Sequence, residues 1–475
     1  MSDALETTVA LGLIEGALLE RPAPGTLRAS APPAAHRAPA SLEGLPPALA
    51  ELLLGLAAAP VSQSALAARA LELAGFPGFG LLQRFVAALD RGAYLSRWLL
   101  VDGVPVASLH PASLQHRWRD DAIQAGSRRR LSRFACCRRD ERGLLVESPL
   151  GHAQVRLEGP AAIAAFGALA EARAPEELAP RAPGLGEEGA RLFMALLESA
   201  GALVALSGDE AAAEEADPRL AQWDFHDLLF HSRSRLGRHS NPYGGTYPHK
   251  GRFEPLPAAK PTPDDAIALP APDLERLADH DRPFSAVLES RRSLREHGER
   301  PLTLAQLGEL LYRAARVQKA VPEAGVSFRP HPAGGALHEL EIYPVVHRCE
   351  GLPGGLYRYD AFGHRLERVA GPDPGVEALL RMAAATAGME APPQVLLVIA
   401  ARFQRIQWKY QSMAYALILK NVGALYQTLY LVATAMGLAS TALGGGHSDL
   451  FAAAARLDYL AETSVGEFIL GSARE

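Results

Sequence analysis

Six consecutive apolar residues, Val395-Leu396-Leu397-Val398-Ile399-Ala400, set the tightest constraint on this chain. A strand with one wet face alternates apolar with polar side chains, so an unbroken run needs cover on both faces. The run predicts a buried central strand with layers on either side of it. Residues 414–436 then predict a long, internally apolar helix, along which Leu417, Leu419, Val422, Leu425, Leu429, Val432 and Ala433 recur. Asn421 and Gln427 interrupt it, Gln427 as the candidate polar contact in the core. Upstream, Pro301 to Leu311 predicts a capped amphipathic helix, with Thr303 at the cap and Gln306 at the third helical position. Strand-like runs at Glu339 to Val346 and Gly466 to Gly471 complete an α+β domain over residues 281–475.

A chain of 475 residues is too long for one typical core and predicts two to four domains. Its 48% hydrophobic and 21% charged residues are those of a soluble globular protein. A net charge of −5 argues against a general nucleic-acid binder, which carries a strongly basic domain. Cys136, Cys137 and Cys349 form neither a disulfide framework nor a metal-ligand spacing. The first residues lack the basic start of a secretory signal. Apolar stretches such as 48–59, broken by Glu51, read as too short for a bilayer, so the expectation is a cytoplasmic protein without a membrane.

Residues 1–110 read as a winged-helix-like module. Short strands near Val9 to Leu13 and around Leu27 precede helices at Leu49 to Ala57, Ser62 to Ala74 and Gly80 to Leu89. A hairpin follows, Tyr94 to Val101 and Val104 to Val106, with its turn at Asp102-Gly103. The pattern recurs over residues 125–220 as a second module, with strands at Leu144 to Ser148 and Ala153 to Leu157, helices at Ala161 to Ala172 and Glu188 to Ala200, and a strand at Leu203 to Leu206. DNA reading is disfavoured, because the recognition helix Leu81 to Leu89 holds one basic residue, Arg84, and phosphate contacts dominate such affinity. Residues 221–280 form a connector dense in aromatic, histidine and arginine side chains from Trp223 to Arg235. Asp224, His226 and His231 lack a fourth ligand at a recognised spacing, so a packed strap is expected and no metal. The prolines between Pro255 and Pro272 then make a stiff crossing.

The chemistry-bearing segments lie beyond it. Arg291-Arg292-Ser293-Leu294-Arg295 offers guanidiniums, which bind a phosphate dianion through paired, charge-assisted hydrogen bonds. In Pro332-Ala333-Gly334-Gly335, the glycines allow close approach of backbone to a planar group. Lys409-Tyr410 follows the apolar run, and Leu443-Gly444-Gly445-Gly446 ends the next strand. No G-x-G-x-x-G follows a strand and no P-loop occurs, so nothing points to a Rossmann domain or an NTPase.

In this order the segments resemble the flavin-dependent nitroreductase fold, and more narrowly the SagB-type dehydrogenases. Within that group the chain resembles cyanobactin-type thiazoline oxidases, azoline oxidases that act on thiazoline- or oxazoline-containing peptides. The resemblance implies flavin mononucleotide (FMN), its phosphate and ribityl tail on Arg291, Ser293 and Arg295 with Arg292 beside them. It implies ring contacts from Pro332, Ala333, Gly334 and Gly335 and from Leu443, Gly444 and Gly445. Where the family usually shows Ser this chain has Ala333, so a hydroxyl contact is lost there while the backbone contacts remain. Lys409 and Tyr410 match the catalytic pair, either of them being the base that takes the proton released as the ring aromatises. A homodimer with flavin sites between subunits is implied, with an azoline-containing precursor peptide as substrate and a cyclodehydratase as a further partner. The N-terminal modules resemble peptide clamps that add the peptide's strand to the wing's sheet. Alternatives are a nicotinamide-dependent reductase of small molecules, a peptide-binding scaffold without activity, and a winged-helix regulator.

Overall fold

In the computed structural model, which describes residues 5–31, 37–207 and 211–474, the apolar run forms the strand Val395–Arg402, and every residue in it is buried. Its alternate side chains feed two separate cores. Val395, Leu397, Ile399 and Ala401 pack with Leu307, Leu311, Ile418, Leu425 and Leu429, from the helices Leu304–Ala315 and Ala414–Ala435. Leu396, Val398 and Ala400 face the other way, against Leu379, Leu380 and Ala383 of Pro374–Ala387 and Phe451 of Ser448–Ala455. A sheet covered by helices on both faces follows from that alternation.

The sheet has seven strands in the order Ile267–Ala268, Arg365–Ala370, Gly355–Asp360, Leu340–Val346, Val395–Arg402, Glu462–Ser472 and Leu438–Leu443. All its neighbours pair antiparallel. These elements belong to one compact unit, Gly244–Glu475, and Met1–Tyr243 forms the other. The helix Leu304–Ala315 begins with the predicted capping box, Gln306 N donating to Thr303 Oγ1 at 3.1 Å and Thr303 N to Gln306 Oε1 at 3.0 Å.

The first unit is built on its own seven-stranded antiparallel sheet, ordered Val61–Ser62, Thr7–Leu13, Leu95–Val101, Val104–Pro111, Ala153–Leu157, Gly143–Glu147 and Cys136–Asp140. The strands expected for the two modules share this sheet, because Val104–Pro111 pairs directly with Ala153–Leu157. The predicted hairpin turn is present, with Asp102 and Gly103 both at positive φ, the backbone of a primed two-residue turn. Helices occupy Pro47–Leu54 and Gln63–Arg91, the second broken at Ala74 and Gly75, where the backbone leaves helical φ/ψ. The break yields the two helices read from the sequence.

One expectation is corrected. Gln63–Arg91 and Ala414–Ala435 are long and apolar enough, by length and composition, to cross a membrane. The first carries the break, and the second buries Ile418, Leu425 and Leu429 in the core.

A single amide ties residues 298–302 and the last strand to the start of the central strand. Gln394 Oε1 accepts from Leu302 N at 2.8 Å and from Ser472 N at 3.1 Å. Its Nε2 donates to the carbonyls of Gly298 and Arg300, each at 2.9 Å. Gln394→Leu strands these buried partners and is expected to cost about 2–4 kcal/mol in urea denaturation. An unchanged midpoint would remove Gln394 from the framework.

Candidate active site

After the central strand, the short helix Phe403–Gln407 ends in Trp408, Lys409 and Tyr410. Arg405 fixes this corner: buried, it donates to the carbonyls of Leu337 (3.1 Å), Leu256 (2.6 Å) and Gly325 (2.9 Å). Lys409 and Tyr410 then lean over the Gly334–Ala336 turn. A Cβ on Gly335 would lie 2.7 Å from the Tyr410 hydroxyl and 2.8 Å from Lys409 Nζ. Gly335 also has φ +64°, so glycine is required there on two counts. The Lys409 ammonium stands 5.3 Å from the Tyr410 ring centroid and 5.8 Å from that of Tyr247, within cation–π range. Tyr247 is held in place by its N–H to the Lys409 carbonyl at 3.0 Å and by its ring edge on Trp408.

The turn is anchored from behind. Gly334 N donates to Asn421 Oδ1 at 3.1 Å, and Asn421 Nδ2 donates to Glu339 Oε1 at 2.8 Å. Burial raises the Glu339 carboxyl above its ordinary range. Gln427, the expected polar core contact, is exposed, and Asn421 is the buried one. His338 is buried edge-on to His331, and burial lowers its pKa to about 3. It is a neutral structural group.

Arg291 and Ser293 meet the helix Ala414–Ala435 at Tyr430, and the glycine loop lies beside Val422, Gly423 and Tyr426 of the same helix. The Arg291 guanidinium stands 5.2 Å from the Tyr430 ring centroid, and Ser293 Oγ lies 3.0 Å from the Tyr430 hydroxyl. That hydroxyl accepts from Ala442 N at 2.7 Å, and Leu294 N donates to the Ser440 carbonyl, so the basic segment lies along Leu438–Leu443. Arg292 turns aside, donating to the carbonyls of Glu289 and Arg291, and Arg295 is exposed. Gly444 and Gly445 follow Leu443. A Cβ on Gly444 would meet nothing within 4 Å, and one on Gly445 only Thr386. This chain alone therefore imposes no need for glycine at those two positions, as expected of a cradle shaped for a ligand. The open cradle, the basic residues and the Ser293 hydroxyl fit a group with a planar part and an anionic tail. Gly446 differs, since its Cβ would strike the Glu467 carboxylate at 2.4 Å.

Two cavities open here. One of about 410 Å³ lies between Val422, Gly423 and Tyr426 and the Leu443–Gly446 loop, with Glu467 in its wall. The other, about 550 Å³, lies beside Lys409 and is lined by Tyr247, the 255–259 segment, Ala320, residues 322–326, Leu337, Phe362 and Arg405. Glu339, Tyr430, Glu467 and Tyr247 thus lie at the candidate site without having been singled out in the sequence for it. Asn421 was legible there, in the segment Lys420-Asn421-Val422-Gly423 and as a polar residue in an apolar helix. In the connector, Asp224, His226 and Asp227 stand together, exposed, with no further ligand among the described residues.

Two family models match this chain: the cyanobactin oxidase ThcOx over residues 129–240 and the nitroreductase family over residues 288–472. A protein of Methanocaldococcus jannaschii described as a "putative nitroreductase", MJ1384, is 33% identical over 180 residues, which span 38% of this chain and 85% of that protein. The Microcin B17-processing protein McbC of Escherichia coli is 28% identical over 137 residues, 28% of this chain and about half (49%) of that protein. Among solved structures, a "putative nitroreductase" from Ralstonia eutropha aligns with TM-score 0.36 and 27% identity, covering 47% of this chain and 96% of that one. A chain of the E. coli microcin synthetase McbBCD complex with truncated pro-MccB17 bound aligns with TM-score 0.34 and 21% identity, over 53% and 92%.

Burial lifts the Glu467 carboxyl to about 7, against the opposing pull of the His447 backbone N–H. An acid whose folded pKa is raised contributes no penalty below its unfolded value near 4.5, and destabilises progressively as pH rises to about 7. Glu467→Gln is therefore expected to melt with the parent near pH 4.5 and several degrees above it once pH exceeds 7. Coincident melting curves at both ends would show that the carboxyl titrates normally.

Proposed function

This chain belongs to the nitroreductase family, and we propose that it is an FMN-dependent oxidase that aromatises thiazoline or oxazoline rings in a ribosomally made peptide. The observation that carries the reading is the Lys409–Tyr410 pair seated on Gly335, with Lys409 lining a cavity large enough for a ring. The cyanobactin oxidase match over residues 129–240, placed before the nitroreductase segment, supports a peptide substrate.

Arg291, Ser293 and Arg295 would hold the phosphate, and the Pro332–Gly335 turn and Leu443–Gly445 the ring. Bound flavin supplies the two-electron acceptor, restored by dioxygen, so no nicotinamide is needed. The chain's own part is the proton. Aromatisation removes a hydride equivalent from one ring carbon and a proton from its neighbour, and the proton passes to Lys409 Nζ or Tyr410 Oη, with the other as helper. Gly335 sets this geometry, because it brings both atoms to one place on the turn.

Ser293 reaches the helix Ala414–Ala435 at Tyr430 and the Gly334 turn reaches it at Asn421, nine residues apart. We read a homodimer in which one copy's cradle faces its partner's pair. The exposed Tyr415 and Leu419 on that helix support it. The first unit is read as two winged-helix-like peptide clamps. Its strand Cys136–Asp140 ends the sheet with one edge paired, the place for an added peptide strand. A cyclodehydratase partner and a cytoplasmic location complete the reading.

Lys409→Ala and Tyr410→Phe are each expected to lower turnover by about a hundredfold or more while flavin stays bound. Wild-type rates in both would dismiss the pair. Anaerobic mixing of the flavin-loaded protein with an azoline peptide should bleach the flavin and yield a peptide lighter by two hydrogens. Bleaching only on addition of a reduced nicotinamide would favour a small-molecule reductase instead.

A further inference from the structure

The cavity of about 550 Å³ beside Lys409 has a composition that a ring and its proton acceptor do not explain. Its walls are apolar: Leu256, Pro257 and Ala258 on one side, Val326 and Leu337 on another, and Phe362. Charged residues in the lining are Arg405, Glu323 and Lys409. Arg405 is committed, its guanidinium donating to the carbonyls of Leu337, Leu256 and Gly325. Glu323 is exposed, in the turn Pro322–Ala324. Lys409 stands over Gly335 with Tyr410. The interior thus presents mostly hydrocarbon, with the Lys409 ammonium at its catalytic side and Glu323 exposed in the lining, which suits an apolar group better than a strongly hydrated one.

The apolar wall is built, not incidental. Three arginines of the second unit's framework fasten the segment 256–262, and the segment's own Lys260 reaches back to that framework. Arg405 donates to Leu256 O (2.6 Å), Arg402 to Ala258 O (3.3 Å), and Arg358 to Pro261 O (2.7 Å). Lys260 Nζ meets Glu462 Oε2 at 2.7 Å and the Tyr343 hydroxyl at 3.0 Å. A segment tethered at so many points keeps its shape when the cavity is filled.

Lys409 decides the occupant, since it belongs both to the cavity lining and to the catalytic corner. A ring within hydrogen-bond reach of Lys409 or Tyr410 leaves the next residue of its peptide about 3.8 Å further along the backbone. We propose that this cavity is a specificity pocket for an apolar side chain, aliphatic or aromatic, on the residue immediately flanking the azoline. This rests on the azoline-oxidase reading and adds the neighbouring residue to it.

The test uses the full-length, flavin-loaded protein and synthetic azoline peptides that differ only in the residues flanking the ring: Gly on both sides, then Leu or Asp on either side. The value of kcat/KM should be about tenfold or more higher with Leu than with Gly or Asp at one of the two positions. Ala324→Trp, from an exposed residue of the lining, should bring that ratio close to one, as should Val326→Asp. Dissociation constants of the same peptides, read by fluorescence anisotropy, should show the same preference without turnover. Oxidation of all peptides at equal rates with equal affinities would overturn the pocket and leave the oxidase reading standing. If no peptide is oxidised, the oxidase reading fails, and equal dissociation constants would then overturn the pocket as well. A Leu preference unchanged in both variants would place the selection elsewhere and also overturn it.

Discussion

Burial of the strand Val395–Arg402 on both faces is the constraint from which the second unit is organised. Because successive side chains point to opposite sides, one strand of eight residues nucleates two cores at once. The helix Ala414–Ala435 packs on one of them and the helices Pro374–Ala387 and Ser448–Ala455 on the other. Its end runs straight into Phe403–Gln407 and then Lys409 and Tyr410, so that pair follows the buried strand after a single short helix. A polar residue at Leu397 or Val398 would cost stability in one core or the other.

Charge inside this unit serves position. Arg402, Arg405, Glu341, Glu462 and Glu467 are all buried, an expensive arrangement unless each is matched. Most of the basic groups are matched to backbone carbonyls of segments lacking regular structure: Arg405 to Leu256, Gly325 and Leu337, and Arg402 to Ala258. Such segments cannot satisfy their own carbonyls, so a buried guanidinium with several donors is the natural clamp. Tyr343 joins in, donating to Glu462 Oε1 at 2.6 Å, and burial beside that carboxylate drives its phenol strongly upward, so it remains a donor.

The sequence disclosed those parts whose cause is local. An apolar run and a Thr-x-x-Gln box are each legible within a few consecutive residues, and each is found where it was read. The parts that escaped depend on distant pairings. Asn421 meets Glu339 across 82 positions and Gly334 across 87. The helix that carries Asn421 shows why Gln427 looked equally suitable. It is apolar nearly all round, with Leu419 40% exposed although it belongs to the apolar pattern, so periodicity cannot say which face is inward. Arg292 looked like its neighbours and is set apart only by its turn back onto the Glu289 and Arg291 carbonyls.

Glycine enters the site for two different reasons, and the difference separates folding from function. At Gly335 a side chain would collide with Lys409 and Tyr410 and the backbone is left-handed, so the chain itself demands glycine. Gly446 is likewise demanded by Glu467. Gly444 meets nothing, and the chain would accept a methyl there at little cost. Residues that the fold does not need, next to a cavity and leading back through Leu438–Leu443 to Arg291 and Ser293, are where a bound group's own shape sets the requirement. Gly335 and Gly446 are thus enforced by the protein's own side chains, whereas Gly444 is left open by them.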